Sequence, residues 1–369
     1  MRLASRLLIK VFRVKFIRKY FLLLFVFFLV DFLSLAQTVG WRMGFNYFFD
    51  NTEFSGSSYV NDQTMKGLHV APQLTFQWEN IHSFFVGTDL LNISGSKKAI
   101  EKVKLIAYYQ LFTPKILLRV GSFPRSDILT NYSDFFFQDS VEYFKPNIEG
   151  LFWQINHSSD FFNLWLDWTG HQTATQRESF FVGASGVKHF ENFFADFQSY
   201  MFHYANTAPR NTDFHVCDNV LMHLSLGINL LENRSKLDTL FFAVGLLQGF
   251  ERERGLDNMT FKPSGIVLRG NIQYNRFGSE NSFYIGDKRM RLYNKHGNNL
   301  YWNNPFLRGN SYLESEWYWK PIQTSTVEGK LALRLHLSEG KLFTEQLFTL
   351  KVLLDHSFKK NSKTIACQN

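Results

Sequence analysis

The chain has 369 residues, of which 45% are hydrophobic and 20% charged, and this composition excludes an intrinsically disordered protein. Most of the formal net charge of +8 belongs to the first 36 residues, because residues 37–369 carry 33 basic and 31 acidic side chains, a net of only +2. No basic stripe remains for a phosphate backbone, so we expect no nucleic-acid partner.

Residues 1–36 have the parts of a secretory signal peptide. Seven basic residues precede an apolar run over 21–30, and Ser34-Leu35-Ala36 places small residues where signal peptidase reads them. We therefore expect cleavage between Ala36 and Gln37. The alternative is an uncleaved membrane anchor, but Asp31 interrupts the apolar run, whereas a spanning helix needs roughly 20 apolar residues.

A period of two dominates the sequence after residue 37. In 346–358, for example, Phe348 and Leu350 flank the polar Thr349. Such alternation is typical of strands with one apolar and one polar face. Fourteen or eighteen strands are alternatives, but the pattern favours sixteen. These are 41–49, 67–78, 82–91, 101–112, 115–123, 148–157, 161–170, 178–188, 192–205, 218–230, 237–250, 263–275, 281–287, 311–320, 325–338 and 344–358.

The predicted connections alternate in length along the chain. Those after odd-numbered strands have 17, 9, 24, 7, 12, 12, 23 and 5 residues, and those after even-numbered strands have 3, 2, 3, 3, 6, 5 and 4. This asymmetry predicts an all-β fold, a transmembrane antiparallel β-barrel in the outer membrane of a Gram-negative bacterium. The long loops would be extracellular and both termini periplasmic. The predicted parts are the signal peptide 1–36, the barrel 37–358 and a C-terminal tail 359–369.

Strand parity predicts which charged side chains line the barrel lumen. The basic set is Arg42, Lys104, Arg119, Arg269, Lys330, Arg334 and Lys351. The acidic set is Asp89, Asp167, Asp196, Glu314, Glu316, Glu328 and Asp355. Two interpretations are open: a polar channel wall without strong ion selectivity, or a lattice of cross-strand ion pairs. Glu314 and Lys330 are expected to face each other.

Two long loops combine charge with aromatic rings. The loop 124–147 is acidic and the loop 288–310 is basic, so we expect them to meet, and one of them can fold inward. The alternative is a pair of ordinary solvated loops. Candidates for contacting a saccharide through their rings are Tyr132, Tyr143, Tyr293, His296, Tyr301 and Trp302.

The signals for catalysis and for metal binding are weak. Asp167, His171 and Ser179 are predicted near the outer end of two neighbouring strands, but the chain has no Gly-x-Ser-x-Gly elbow. The histidines are scattered without metal-ligand spacing, and the two cysteines, Cys217 and Cys367, are expected to be unpaired. We therefore expect no bound metal and no cofactor.

The chain resembles the porin-like outer-membrane β-barrel proteins of Bacteroidota-type bacteria. The resemblance rests on the leader that ends before Gln37, on the segments 150–154, 164–168 and 297–302, and on the last strand, which ends at Phe358. It implies insertion by the barrel-assembly machinery, and it implies no catalytic residues.

The leading prediction is passive passage of small solutes or saccharides by a barrel that is not an enzyme. The alternatives are an enzyme that modifies outer-membrane lipid, and a scaffold that binds surface polysaccharide or a partner.

Overall fold

Sixteen antiparallel strands close into one barrel in the computed structural model, which describes residues 38–231, 237–255 and 259–357. Each strand pairs with its neighbours in sequence, and β1 pairs with β16 from Gly40–Ser357 to Glu53–Thr344. The predicted fold class is therefore confirmed. The predicted signal peptide and the C-terminal tail lie outside the described residues.

The strand bounds are β1 (Thr38–Glu53), β2 (Gln63–Trp78), β3 (His82–Ile93), β4 (Lys102–Phe112), β5 (Ile116–Pro124), β6 (Asn147–His157), β7 (Asp160–Gly170), β8 (Ser179–Phe190), β9 (Phe193–Tyr204), β10 (Cys217–Asn229), β11 (Thr239–Glu253), β12 (Ser264–Tyr274), β13 (Phe277–Gly286), β14 (Ser311–Gln323), β15 (Val327–Ser338) and β16 (Lys341–Ser357). The short helices are α1 (Asp139–Phe144) and α2 (Tyr293–His296), with 3₁₀ turns at Gly297–Asn299 and Pro305–Arg308. No helix in the described part of the chain is long and apolar enough to cross a membrane.

Side chains alternate between an outer and an inner face along each strand. On β10, Leu224 and Leu226 are exposed on the outside, whereas His223 and Ser225 are buried inside. The same period puts Leu246 outside and Leu247 inside on β11. An apolar outer face with a polar inner face suits a barrel surrounded by lipid.

The connections sort by length, as the sequence predicts, with two exceptions: the β10–β11 connection and the β15–β16 turn. Turns of two or three residues follow most even-numbered strands, and residues with positive φ, such as Ser158, Glu191 and Asn275, close several of them. The β10–β11 connection is longer. At the opposite end, the β15–β16 turn has only Glu339 and Gly340, both with positive φ.

Strand ends differ from the predictions in a few places. β13 spans ten residues from Phe277, four residues earlier than predicted, because its ladder with β14 continues as far as the pair Phe277–Trp319. Pro72 does not shift the register of β2. Ala71 and Pro72 are absent from the ladder with β3, which resumes at Gln73 with the same offset, as expected when proline removes a donor.

The main apolar core lies inside the barrel, towards the end that carries the long loops. Aromatic side chains from the wall, including Trp165, Phe181 and Tyr200, pack there against Phe136 and Trp302 from the two longest loops. Many of the 41 phenylalanines are therefore accounted for by two surfaces, the outer face of the barrel and this inner core.

Candidate functional site

The first half of the β5–β6 loop (residues 125–146) enters the barrel and is held on β7, β8 and β9. The Tyr132 hydroxyl lies 2.8 Å from the carbonyl oxygen of Ser199 and accepts a hydrogen bond from Trp165 Nε1 at 2.8 Å. The Ser133 amide donates to Gln198 Oε1 at 3.1 Å. Burial raises the pKa of Tyr132, which therefore stays neutral.

The second half of the β5–β6 loop forms α1, which lies against β1, β2 and β16 on another part of the wall. Lys351 Nζ donates to Glu142 Oε1 at 2.9 Å. The Tyr143 ring stacks on Phe48 with centroids 4.2 Å apart, and the Tyr143 carbonyl oxygen lies 2.9 Å from His69 Nε2. This loop therefore reaches from one side of the lumen to another.

The β13–β14 loop (residues 287–310) is held by one buried carboxylate at the outer end of β11. Glu251 accepts hydrogen bonds from the backbone amides of Met290 and Arg291 and from the Tyr301 hydroxyl, each at 2.7 Å. Three donors satisfy this carboxylate inside the barrel, as a buried charge requires.

The two loops meet inside the barrel, as their charges led us to expect, but through other contacts. The Gln138 amide donates to the carbonyl oxygen of Trp302 at 2.9 Å, and Lys145 Nζ lies over the Trp302 ring at 5.8 Å. The Trp302 ring also packs on Phe181 with centroids 4.8 Å apart.

Arg334 on β15 is the centre of a buried charged cluster beneath α1. Its guanidinium donates to Asp139 Oδ2 at 2.6 Å, to Glu316 Oε2 at 2.8 Å and to Glu345 Oε2 at 3.0 Å. Lys330 pairs with Glu316 as well. Burial and the nearby Glu345 raise the pKa of Asp139 to about 7, although Arg334 opposes the shift.

Asp50 on β1 adds a further acid to this cluster. It is fully buried, and a carboxylate oxygen from each of Asp50, Asp139 and Glu345 lies within 4.8 Å of the others. Carboxylates this close do not all ionise readily. Such an all-oxygen set is also the kind that hard divalent cations prefer.

His336 lies beside the cluster with a partner on each ring nitrogen. Its Nε2 is 3.1 Å from Glu345 Oε2, and its Nδ1 is 2.6 Å from the Tyr312 hydroxyl. The Tyr312 hydroxyl donates to Glu314 Oε2 at 2.5 Å. A histidine whose one nitrogen faces a carboxylate and whose other faces a hydroxyl has the arrangement of a general base.

Two rings from loops cover His336, which is 3% exposed. Phe54, at the start of the β1–β2 loop, packs edge-on with centroids 5.1 Å apart, and Phe306 stacks at 5.2 Å. Both rings belong to connections rather than strands.

A separate cavity of about 710 Å³ lies between the wall at β7–β11 and the loops. It is lined by cationic, acidic and aromatic side chains, among them Lys145, Arg177, Glu253, His296 and Trp302. Burial lowers the pKa of His296, so this ring is neutral near pH 7.

Most of the charged residues predicted in the lumen form ion pairs, either with other residues of the wall or with residues of the β5–β6 loop. The pairs within the wall are Asp89 with His69, Lys104 with Glu149, Asp196 with Arg269, Glu328 with Lys320, and Lys330 with Glu316. The pairs with the loop are Arg119 with Asp127, Asp167 with Arg125, Arg334 with Asp139, and Lys351 with Glu142.

Three predicted lumen residues, Arg42, Glu314 and Asp355, are in none of these pairs. The guanidinium of Arg42 lies over the Phe85 ring, and Asp355 is exposed near the end of β16. The expected contact between Glu314 and Lys330 is wrong, because the ladder sets Glu314 opposite His336. Glu316, two residues further along, receives Lys330 instead.

Several loop residues predicted to contact a ligand are packing residues. Tyr143 and Tyr301 are buried, and Tyr132 is half-buried and bonded to the wall. Trp302 and His296 border the cavity. Tyr293 lies under the guanidinium of Arg308, with the centroid 4.0 Å away.

The residues considered for a serine hydrolase do not come together. Asp167 is bonded to Arg125 and to the Glu149 amide, while His171 is exposed. The Ser179 hydroxyl contacts the Thr169 hydroxyl at 2.8 Å. The sequence pointed to this part of the rim, whereas it offered no local signal for Asp50, Tyr312 and Glu345, which lie far apart in the chain.

The closed sixteen-stranded barrel is the fold of outer-membrane proteins. OmpT of Vibrio cholerae, with its loop L8 deleted, has a TM-score of 0.51 and 9% identity, covering 86% of this chain and 99% of its own. OprB of Pseudomonas putida has a TM-score of 0.45 and 10% identity, covering 88% and 96%. OpdK of Pseudomonas aeruginosa has a TM-score of 0.47 and 8% identity, covering 87% and 100%. At these identities the likeness concerns the fold alone.

The chain belongs to the Lipid A 3'-O-deacylase-type family, which matches residues 36–360. A search of curated proteins finds no match to the chain. The family is an enzyme family, so the prediction that this protein is not an enzyme is wrong. The lumen charges that suggested a passive wall include the residues around His336.

Proposed function

We propose that the protein removes an ester-linked acyl chain from lipid A, with His336 as the base. The family supplies the class of reaction, and the contact of His336 with both Glu345 and Tyr312 is the observation that supports this choice of base. Outer-membrane lipid is then the substrate, in place of a solute that passes through the lumen.

Hydrolysis of an ester needs a water molecule that loses a proton as it adds to the carbonyl carbon. The bond from that carbon to the sugar oxygen then breaks, and the released hydroxyl takes up a proton. For this proton to reach His336 Nδ1, the Tyr312 hydroxyl turns its own proton from Glu314 to Nδ1 and takes up the proton of the water; the reverse transfers deliver it to the released hydroxyl. Glu345, on Nε2, holds the ring and stabilises its protonated form.

Arg334 and the acids around it hold this pair in place. Arg334 donates to Glu345 Oε2, the same carboxylate oxygen that faces His336 Nε2, so the carboxylate cannot move away from the imidazole without straining an ion pair. Phe54 and Phe306 cover the histidine with apolar rings, and an acyl chain is the part of the substrate that can replace them.

We also propose an orientation of the barrel in the membrane. His336 lies near the end of the barrel that holds the long loops, and we propose that this end faces the cell exterior while both termini face the periplasm. A tag within 54–62 should be labelled by antibody on intact cells, whereas a tag in the 324–326 turn should not. Origin in a Bacteroidota-type bacterium, use of the barrel-assembly machinery and cleavage before Gln37 stay predictions.

The test is the mass of lipid A from a Gram-negative host that expresses the full chain. The wild type should remove one acyl chain, and His336→Asn should lower the rate by about 10²–10⁴-fold, as expected for loss of a general base. His203→Asn is the matched control, because His203 lies 2.8 Å from Asp218 in a similar pair away from this cluster. Unmodified lipid A with the wild type would refute the reaction, and full activity of His336→Asn would refute the site.

Passive passage of small solutes has less support. The β5–β6 loop contacts both sides of the lumen, and the β13–β14 loop packs against it, so the described residues fill much of the outer half of the barrel. Steady single-channel conductance of the wild type in a planar bilayer would restore this alternative.

A further inference from the structure

Three potential metal ligands from separate segments meet beside the cavity. Cys217 begins β10 and Glu253 ends β11, and these two residues are paired directly across the ladder. His296, at the end of α2, reaches them from the β13–β14 loop. Cys217 Sγ lies 3.3 Å from His296 Nε2, which is 3.9 Å from Glu253 Oε1, and the three ligand atoms lie within 4.8 Å of one another.

A thiolate, an imidazole and a carboxylate are donors that zinc takes in proteins. With zinc–ligand bonds of about 2.0–2.3 Å in a tetrahedron, neighbouring ligand atoms are roughly 3.4–3.6 Å apart. The observed separations are near this spacing, so small side-chain rotations bring the three atoms around one ion.

We propose that Cys217, Glu253 and His296 bind one Zn²⁺. Glu253 and His296 border the 710 Å³ cavity, so the fourth position of the ion faces a space that admits water or a small ligand. Lys295 Nζ now lies 2.5 Å from Glu253 Oε1, but its side chain is 48% exposed and can turn to solvent when the ion binds.

The ion would fasten the β13–β14 loop to the barrel wall. α2 has four residues and the loop has two short 3₁₀ turns, so its secondary structure alone does little to fix His296. A bond from His296 to an ion held by β10 and β11 would add a second anchor to the one at Glu251. The site is independent of the proposed deacylation, since it shares no residue with the His336 cluster.

Zinc binding is measured on the full chain, refolded in detergent and stripped with a chelator. We expect one equivalent of Zn²⁺, and with Co²⁺ a thiolate-to-metal charge-transfer band together with tetrahedral d–d bands. Cys217→Ser should abolish the charge-transfer band. His296→Gln and Glu253→Gln should each weaken Zn²⁺ binding by more than about tenfold.

Two variants serve as matched controls. Cys367→Ser removes the other thiol, and His215→Gln changes a second histidine that lines the same cavity. Both should bind Zn²⁺ like the wild type. Absence of tight Zn²⁺ binding by the wild type, or unchanged binding by His296→Gln, would overturn the proposal. His296 lies in a loop, so His296→Gln tests zinc binding at this site even if Cys217→Ser does not fold.

Discussion

The β5–β6 loop meets the barrel wall through ion pairs spread over several strands, whereas the β13–β14 loop meets it through Glu251 and a layer of rings. The first loop presents Asp127, Asp139 and Glu142 to cations of the wall. The second presents two amides and a hydroxyl to Glu251, and one cation, Lys295, to Glu253. Protonation therefore acts directly on the acids of the first loop, while the second loop is held mainly by packing and by neutral donors.

The largest effect should come from the cation that anchors α1. Arg334→Gln leaves Asp139, Glu316 and Glu345 without their shared partner, and breaking a buried ion pair costs about 3–5 kcal/mol. Urea titration in detergent should show this loss in the free energy of unfolding. Lys98→Gln, at an exposed pair with Glu101, should change it little. Equal midpoints for Arg334→Gln and the wild type would mean that the cluster does not hold α1.

A smaller effect is expected at the anchor of the other loop. Glu251→Gln removes the charge that strengthens three hydrogen bonds, and one such bond to a charged group contributes about 1.5–3 kcal/mol. Limited proteolysis should then cut within 287–310 sooner than in the wild type, while the β5–β6 loop stays protected. Glu149→Gln, at a half-exposed pair with Lys104, is the control. Cleavage of both loops at once would show that they are held as one unit.

The smallest expected effect is a change in how the free energy of unfolding varies with pH. The folded pKa of Asp139 is raised to about 7, while its ordinary value is 3.8, so the folded state binds the proton more tightly. This stabilisation is complete below pH 3.8 and is lost as pH rises through about 7. Asp139→Asn should remove this loss of stability with rising pH. Unfolding midpoints measured between pH 3.8 and about 7 would show the difference. Parallel pH profiles for variant and wild type would contradict the raised pKa.

Local patterns were enough to predict the barrel. Strand alternation and connection length are properties of neighbouring residues, so sixteen strands and their order follow without knowledge of distant contacts. The strand ends were less certain, as at β13, because pairing with the next strand extends the ladder past the alternating segment.

The candidate site was only partly predictable. Parity placed Glu314, Glu316 and Arg334 in the lumen, but the partner of Arg334 in α1 is 195 residues away in the chain. Nothing near Asp139 in sequence indicates which wall it meets. The acidic composition of 124–147 and its run Phe135-Phe136-Phe137 were the available signals that this loop is buried.

The two-residue β15–β16 turn leaves the barrel with an uneven rim. Elsewhere on this side the strands are joined by connections of eight or more residues, but beside His336 the turn consists only of Glu339 and Gly340. His336 is two residues before Ser338, the last residue of β15, which is roughly 7 Å along the strand. A lipid whose chains lie alongside β15 and β16 would thus have a shorter path over the rim here than elsewhere on the circumference.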